Sequence, residues 1–242
     1  MWKIPTIEHL DEAGMALGHK TTKRHPKMIP FLDKIQGTIH LINLKKTREK
    51  LEEALKFLEG LAKNQGVILF VGTKPIAQEV VKKYAETCSM PYVINKWVAG
   101  TLTNFETINQ LIKKCLKMNE EKQKGEWNKY TKKEALELER ELQRLEKMVG
   151  GLKSLEKIPD ALYVVDVLKE KTAVRESIRK KVKTVAIVDT NVNPEIVTYP
   201  IPANDDALKS IDLITNLVAQ AIKEGKESIK KDEEKAEKNK PR

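Results

Sequence analysis

The residues best suited to chemistry in this chain are cationic, and four of them fall in one short segment. Lys20, Lys23, Arg24 and Lys27 lie within residues 13–32, which contain no Asp or Glu. Two glycines and two prolines interrupt the same stretch and keep it from closing into a helix, so it is predicted to be an irregular loop. Lys and Arg neutralise phosphates, so the loop is predicted to bind a nucleic-acid backbone. A merely solvated basic loop is the alternative.

Acidic and histidine side chains offer much weaker signals. Four aspartates stand at predicted strand ends or at the start of the last helix: Asp166, Asp189, Asp205 and Asp206. A carboxylate in such a place can bind a metal or act as a base, but helix caps and turns use it more often. The chain has only four histidines: His9, His19, His25 and His40. None has a partner at the spacing of a ligand set on one helix or turn, so no catalytic residue, metal ligand or cofactor is predicted.

One turn has the form of a phosphate cradle. The apolar run Val67–Val71 leads directly into Gly72-Thr73-Lys74 and a helix. The first N–H groups of a helix can bind an anion. However, the full glycine patterns of P-loop and dinucleotide-binding proteins are absent, so an ordinary strand-to-helix turn is favoured.

Composition narrows the class of protein and of partner. The 242 residues include 45 Lys and Arg against 35 Asp and Glu, a net charge of +10, which favours a polyanionic partner. No apolar run approaches the ~18 residues of a membrane span. Cys88 and Cys115 are the only cysteines, and acidic residues near the start suit neither a signal nor a transit peptide. We therefore predict a cytoplasmic protein without disulfides or a membrane partner.

The pattern of apolar residues predicts a doubly wound α/β fold. Continuous apolar runs typical of buried parallel strands alternate with amphipathic helices. The predicted strands are 38–42, 67–71, 92–94, 161–165 and 185–188, with a short edge segment at Ile201. Helices are predicted from Thr47 through Leu61, from the Gly72 turn to Glu86, at 171–181 and at 205–223. Residues 226–242 are charged and almost without apolar residues, so they are predicted to be a disordered tail.

Residues 104–149 break this alternation. Apolar residues form one narrow seam at three-four spacing, and the other faces are polar. Thr103 with Glu106 and Thr131 with Glu134 have the form of capping boxes, and Gly125 separates the two predicted helices. The stretch is therefore predicted to be an inserted antiparallel helical hairpin, each arm roughly 25 to 30 Å long at ~1.5 Å per residue. The alternative is two ordinary helices lying on the sheet. The α/β RNA-binding domain would comprise 1–103 and 150–225.

Several motifs are specific enough to carry a family resemblance. They run in one order along roughly residues 5 to 223: Ala13-Gly14, Gly18-His19, Pro26-Lys27-Met28, Ile39-His-Leu-Ile-Asn-Leu44 with Thr47, Phe70-Val-Gly-Thr-Lys74, Trp97 with Gly100-Thr-Leu-Thr-Asn-Phe105, Leu138-Glu-Arg-Glu-Leu142, Gly150-Gly151, Pro159-Asp-Ala161, Ala186-Ile-Val-Asp-Thr-Asn191 and Asn204-Asp-Asp-Ala207. In order and spacing they resemble the bacterial-type small-subunit ribosomal protein S2 family. The chain departs from the family's pattern at His25, where Asn is usual, and at several glycine positions, including Ala99 and Ala203.

The resemblance implies a flavodoxin-like α/β domain with an inserted coiled-coil hairpin and no catalysis. It implies binding to 16S ribosomal RNA between the head and body of the small subunit, next to other ribosomal proteins. It also implies a part in holding ribosomal protein S1 near the mRNA exit region, with no small-molecule substrate. The residues expected to bind the RNA are Lys20, Lys23, Arg24, His25, Lys27, Trp97, Thr103, Asn104, Lys113 and Lys114.

Two other functions remain as alternatives. An α/β enzyme that binds a nucleotide or sugar phosphate would use the Gly72 turn and the strand-end aspartates. A helical-hairpin scaffold without an RNA role would leave the acid-free basic loop unexplained. Protection from heat by a small ligand favours the enzyme, and cosedimentation with small subunits favours the ribosomal protein.

Overall fold

The computed structural model describes the backbone of residues 2–238 and the side chains of residues 2–228. It begins with a short helix and a small antiparallel sheet. These elements are α1 (Ile7–Glu12), β1 (Leu17–Lys20), β2 (Leu32–Gln36) and β3 (Ile39–Ile42), with sheet order β1-β3-β2. The prediction of an irregular loop over 13–32 was therefore wrong in part. β1 pairs with β3, and 3-10 turns form at Thr21–Lys23 and Pro26–Phe31.

The main sheet is parallel, as predicted, and has five strands. They are β4 (Ile68–Val71), β5 (Tyr92–Val93), β6 (Ala161–Val165), β7 (Lys183–Val188) and β8 (Tyr199–Pro202), in spatial order β5-β4-β6-β7-β8. Counted within this sheet the order is 2-1-3-4-5, which is the flavodoxin-like arrangement. The predicted strand at 38–42 is a strand, but it lies in the small sheet because β3 pairs with β1 and β2.

Helices cover both faces of the main sheet, and this confirms the doubly wound prediction. They are α2 (Leu44–Lys63), α3 (Pro75–Thr87), α6 (Lys171–Lys180) and α7 (Leu208–Lys238). Alternate strand residues divide between two buried clusters: Phe70 and Tyr163 pack with α2, α3 and α7, and Leu69 and Leu162 pack with α6. This division follows from the two-residue period of a strand.

Helix α2 begins earlier than predicted. Its N-cap is Asn43, whose side chain accepts hydrogen bonds from the backbone N–H groups of Lys45 and Lys46. Thr47, the predicted first residue, lies inside the helix and is fully buried. Its hydroxyl donates to the carbonyl of Pro202 at 2.6 Å, so it ties α2 to the end of β8.

Residues 104–149 contain the two predicted helices, α4 (Phe105–Gln123) and α5 (Lys132–Val149). They run antiparallel, since Asn119 lies 3.2 Å from Glu146 while Lys122 lies 2.7 Å from Glu139. Gly125 separates them with a left-handed φ of 71°. Their coiled-coil geometry stays a prediction.

The seam of the hairpin is continuous with the core. Residues of α4 and α5 belong to the same buried cluster as Leu69, Val71 and Val93 of the main sheet. The seam residues in this cluster are Ile108, Ile112, Cys115, Met118, Leu142, Leu145 and Val149. The hairpin seam therefore packs against more than itself.

The end of the chain also differs from the sequence prediction. Helix α7 continues to Lys238, so residues 226–238 form its last turns rather than a disordered tail. Residues 239–242 of the predicted tail lie outside the described part of the chain. None of the helices described here combines the length and apolar character needed to cross a membrane.

Candidate nucleic-acid interface

Residues 20–27 are here called the basic segment. Their four cations are exposed. Lys20, Lys23 and Arg24 form no ion pair with any residue in the described part of the chain. Lys27 is the exception, because its ammonium group pairs with Glu195. Three cations without an ion pair within five residues form a surface that attracts phosphate groups.

Backbone contacts fix the basic segment to the end of β7. The N–H of His19 donates to the hydroxyl of Thr190 at 2.9 Å, and the N–H of His25 donates to its carbonyl at 2.8 Å. Gly18 makes this approach possible, since a Cβ there would lie 2.4 Å from Cγ2 of Thr190 and 2.9 Å from the carbonyl oxygen of His40. The cations therefore project from a segment whose ends are held in place.

His25 shapes the turn that presents Lys27. Its Nδ1 accepts a hydrogen bond from the backbone N–H of Lys27 at 3.2 Å and so caps the 3-10 turn Pro26–Phe31. Within this turn Met28 is fully buried.

Next to the basic segment, the carboxyl ends of the parallel strands bring together the four aspartates noted in the sequence. Lys74 lies among three of them, with Nζ 2.7 Å from Asp205, 2.6 Å from Asp206 and 3.3 Å from Asp166. Burial alone would lower the pKa of Lys74, but the hydrogen bonds to Asp205 and Asp206 outweigh it and raise the pKa. Lys74 is thus a neutralised structural cation rather than a ligand for phosphate.

The pKa of Asp205 reflects the excess of negative charge at this edge of the sheet. Burial and the neighbouring carboxylates of Asp166 and Asp189 raise its pKa to about 7, although Lys74 acts in the opposite direction. Four carboxylates converge here around one lysine and one histidine. A phosphate would meet strong repulsion at this edge.

The turn at Gly72 does not form a phosphate cradle. The backbone N–H and the hydroxyl of Thr73 both donate to Oε1 of Glu170, which is buried. Gly72 is required by packing, because a Cβ would lie 2.7 Å from Cγ2 of Val81 in α3. A carboxylate of the chain itself therefore occupies the donors that a nucleotide would need.

The side chains of Trp97 and Thr103, both predicted RNA contacts, make hydrogen bonds within the protein. The buried indole of Trp97 donates to Oε1 of Glu176 at 3.1 Å. Oε2 of Glu176 accepts from the backbone N–H of Thr103 at 3.1 Å and from its hydroxyl at 3.2 Å. Thr103 is therefore not the N-cap of α4, which corrects the sequence prediction. Asn104 holds that position without a side-chain cap, and it is exposed.

Glu176 is one of the residues that sequence reasoning missed. It also accepts from the N–H groups of Gly100 at 2.8 Å and Leu102 at 2.9 Å, so one carboxylate collects five donors from residues 97–103. Burial would raise its pKa, but these hydrogen bonds outweigh burial and lower it. An isolated Glu in helix α6 gives no local sign of partners more than 70 residues away.

The remaining predicted contacts lie on the hairpin. Lys113 is exposed on α4, and Lys114 pairs with Glu141 across the hairpin. The structure thus divides the predicted cations between the basic segment at the sheet edge and helix α4.

Comparison with known proteins shows similarity over most of the chain. The family model for ribosomal protein S2 matches residues 10–225. A curated relative, the small ribosomal subunit protein uS2 of Dictyoglomus thermophilum, is 45% identical over 226 residues, covering 93% of this chain and 92% of the relative.

Proposed function

The chain belongs to the ribosomal protein S2 family and is a structural, non-enzymatic protein of the small ribosomal subunit, where we propose that its basic segment binds 16S rRNA between head and body. Membership of the ribosome also makes it a cytoplasmic, ribosome-bound protein. The prediction that the protein is not an enzyme agrees with its membership of a structural, non-enzymatic family. The occupied donors at Thr73 and the neutralised Lys74 argue against the alternative of a nucleotide-binding enzyme.

The observation that carries the proposal is the exposure of Lys20, Lys23 and Arg24 without carboxylate partners among the described residues. Each cation that neutralises a phosphate releases counterions, so affinity comes mainly from such groups. Because backbone hydrogen bonds to Thr190 hold the segment, little backbone conformational entropy is lost when RNA binds.

The same geometry reduces the number of residues that we expect to contact the RNA directly. Lys20, Lys23, Arg24 and Lys27 contact phosphates, and Lys113 on the hairpin adds a second point of attachment. Trp97 and Thr103 act indirectly by fixing the loop from which α4 leaves the sheet. The hairpin, residues 104–149, is an inserted arm on an α/β domain formed by 1–103 and 150–225. It contacts RNA or neighbouring ribosomal proteins.

The proposal extends to ribosomal protein S1, which this chain would help to hold near the mRNA exit region. The basis is membership of the family together with the exposed polar faces of α4 and α5.

Competition for incorporation into small subunits lacking this protein tests the RNA-binding proposal. The variant carries Lys20→Ala, Lys23→Ala, Arg24→Ala and Lys27→Ala. A charge-matched control replaces exposed cations elsewhere with Ala: Lys45, Arg179, Lys180 and Lys209. We expect the variant to lose the competition against wild type while the control competes normally. Equal loss in both would show that only net charge matters, and equal competition by all three would exclude the basic segment as the interface.

A further inference from the structure

Helix α6 and the turn before it carry a second group of exposed cations. Lys169, Lys171 and Arg175, here called the α6 cations, are all exposed. Among the residues whose side chains the structure describes, no carboxylate lies within ion-pair distance of these three groups. Their positive charge is therefore available to a ligand.

The acidic residues next to the α6 cations are directed into the protein. Glu170 is buried and accepts a hydrogen bond from the backbone N–H of Thr73 at 2.9 Å. Glu176 is also buried and accepts from donors of the loop 97–103. Residues 168–183, whose side chains are all described, therefore present cations to solvent and no exposed carboxylate.

The α6 cations occupy positions that do not favour the fold itself. The first turn of α6 contains Lys171 and no acidic residue, although the positive end of the helix dipole favours a carboxylate there. Lys171 and Arg175 are four positions apart, a spacing at which like charges repel. Arg179 and Lys180, in contrast, lie in the last turn, where the dipole favours cations. Stability of the helix thus accounts for the cations at its C-terminal end but not for those at its N-terminal end.

The start of α6 is held in place by the chain around it. The side chain of Asp166 accepts from the backbone N–H of Lys169 at 2.9 Å, and its carbonyl accepts from the N–H of Glu170 at 3.0 Å. On the inner side of the helix Ala173 and Val174 are buried against the main sheet. The α6 cations therefore project from a fixed backbone, as those of the basic segment do.

The two groups of cations lie on the same face of the main sheet. Met28, in the turn that presents Lys27, belongs to the same buried cluster as Ala173 and Val174 of α6. Helices α2, α3 and α7 pack on the opposite face. One polyanion can therefore contact both groups from the same side of the protein.

We propose that the α6 cations bind a second stretch of phosphate backbone of the small-subunit RNA. This second contact rests on the proposed function, because it extends the RNA held at the basic segment onto the α6 face. Lys171 and Arg175 lie about 6 Å apart along the helix axis and can contact separate phosphates of one strand. Contacts of this kind position the RNA without reading its sequence.

An anionic membrane is a poorer match to this surface. A helix that lies on a membrane needs a continuous apolar face. The exposed large apolar side chains of residues 168–183 are Leu168 and Ile178, which lie at opposite ends of α6. They form no apolar stripe next to the cations.

Filter binding of the full-length protein to 16S rRNA over a series of salt concentrations tests the second contact. The test variant carries Lys169→Gln, Lys171→Gln and Arg175→Gln. The matched control carries Arg179→Gln, Lys180→Gln and Lys181→Gln, which remove the same charge from the other end of α6. We expect the test variant to bind at least ~10-fold more weakly at low salt, with a salt slope smaller by roughly 2 to 3, and the control to bind like the wild type.

Two results of this assay would overturn the proposal. Unchanged affinity and slope in the test variant would show that the α6 cations do not contact RNA. Equal loss in the test variant and the control would show that net charge alone matters. Melting curves add a further check, since the test variant should melt no lower than the wild type and the control should melt lower. A lower melting temperature in the test variant would show that these cations stabilise the fold.

The four-alanine variant of the basic segment, measured in the same assay, separates this contact from the proposed function. If that variant is weakened while the α6 test variant binds like the wild type, the α6 assignment is wrong and the proposed function stands. If only the α6 test variant is weakened, the basic segment is excluded as an interface and the α6 cations remain an RNA-binding surface. Vesicles of equimolar phosphatidylserine and phosphatidylcholine provide the last comparison. Vesicle binding that the α6 test variant loses while it keeps its RNA affinity would assign the surface to a membrane and contradict the proposal.

Discussion

The two helices of the hairpin begin with the same sequence motif and start in different ways. Thr131 and Glu134 form a complete capping box at the start of α5. Thr103 and Glu106 have the same spacing at the start of α4, but Thr103 bonds to Glu176 instead. Thr131 is exposed at the far end of the hairpin, whereas Thr103 lies at its base against helix α6. A local motif determines structure where no distant partner competes, and a buried carboxylate overrides it where one does.

Removing Glu176 should have the largest effect. Glu176→Ala leaves five donors in the loop 97–103 without their acceptor, and several of them are buried. We expect a loss of about 3 to 5 kcal/mol in the free energy of unfolding, because removing one partner leaves buried polar groups unsatisfied. Urea unfolding measures this. A loss below about 1 kcal/mol would show that Glu176 does not hold the loop.

Truncation of the seam near the sheet should have the next largest effect. Ile112 is 2% exposed and shares the buried cluster with Leu69 and Val71 of β4. We expect Ile112→Ala to cost about 2 to 4 kcal/mol. Leu138, farther along the hairpin and only partly buried, is the control and should cost less. Thermal denaturation measures both losses of stability. Equal losses would mean that packing against the core adds no stability at the base of the hairpin.

Loss of the exposed capping box at Thr131 should have a smaller effect on stability. Thr131→Ala removes a side-chain acceptor from the start of α5, which typically costs about 1 kcal/mol. Thr131→Ser retains the hydroxyl and should restore most of that stability. Circular dichroism melts of the two variants test this pair. Identical melting of Thr131→Ala and wild type would show that the box contributes nothing.

The smallest effect should be a dependence on pH. The hydrogen bonds from residues 97–103 lower the pKa of Glu176 below its ordinary value of 4.5. Its contribution to stability is therefore present above that ordinary pKa and is lost as the pH falls through the lowered value. Glu176→Gln should be less stable than wild type at pH 7, with a difference that narrows under acid conditions. A difference that stays constant down to pH 2 would contradict the role of the ionised carboxylate.

The main sheet could be predicted because each strand carries its own signal. The runs 67–71 and 161–165 are apolar at every position, which is typical of parallel strands buried on both faces. Strand β1 carries no such signal. Leu17 is exposed, and the strand exists because it pairs with β3. Long-range pairing does not appear in the local pattern.

The sequence predicted the charged residues of the candidate site but not the contacts that position them. The acid-free pattern of residues 13–32 identifies the basic segment, but it does not reveal that Thr190 anchors it. Spacing on one helix or turn cannot bring His19 to Asp189, since the two residues lie 170 positions apart in the sequence. The topology does so, because the segment before β3 crosses the carboxyl end of β7.

The salt dependence of binding to small-subunit RNA tests the basic segment most directly. Each phosphate contact adds roughly 0.7 to 0.9 to the slope of log affinity against log salt concentration. Replacing Lys20, Lys23 and Arg24 with Ala should therefore weaken binding at low salt and reduce the magnitude of that slope by roughly 2 to 3. A slope and an affinity equal to those of the wild type would contradict the assignment of this segment as the RNA interface.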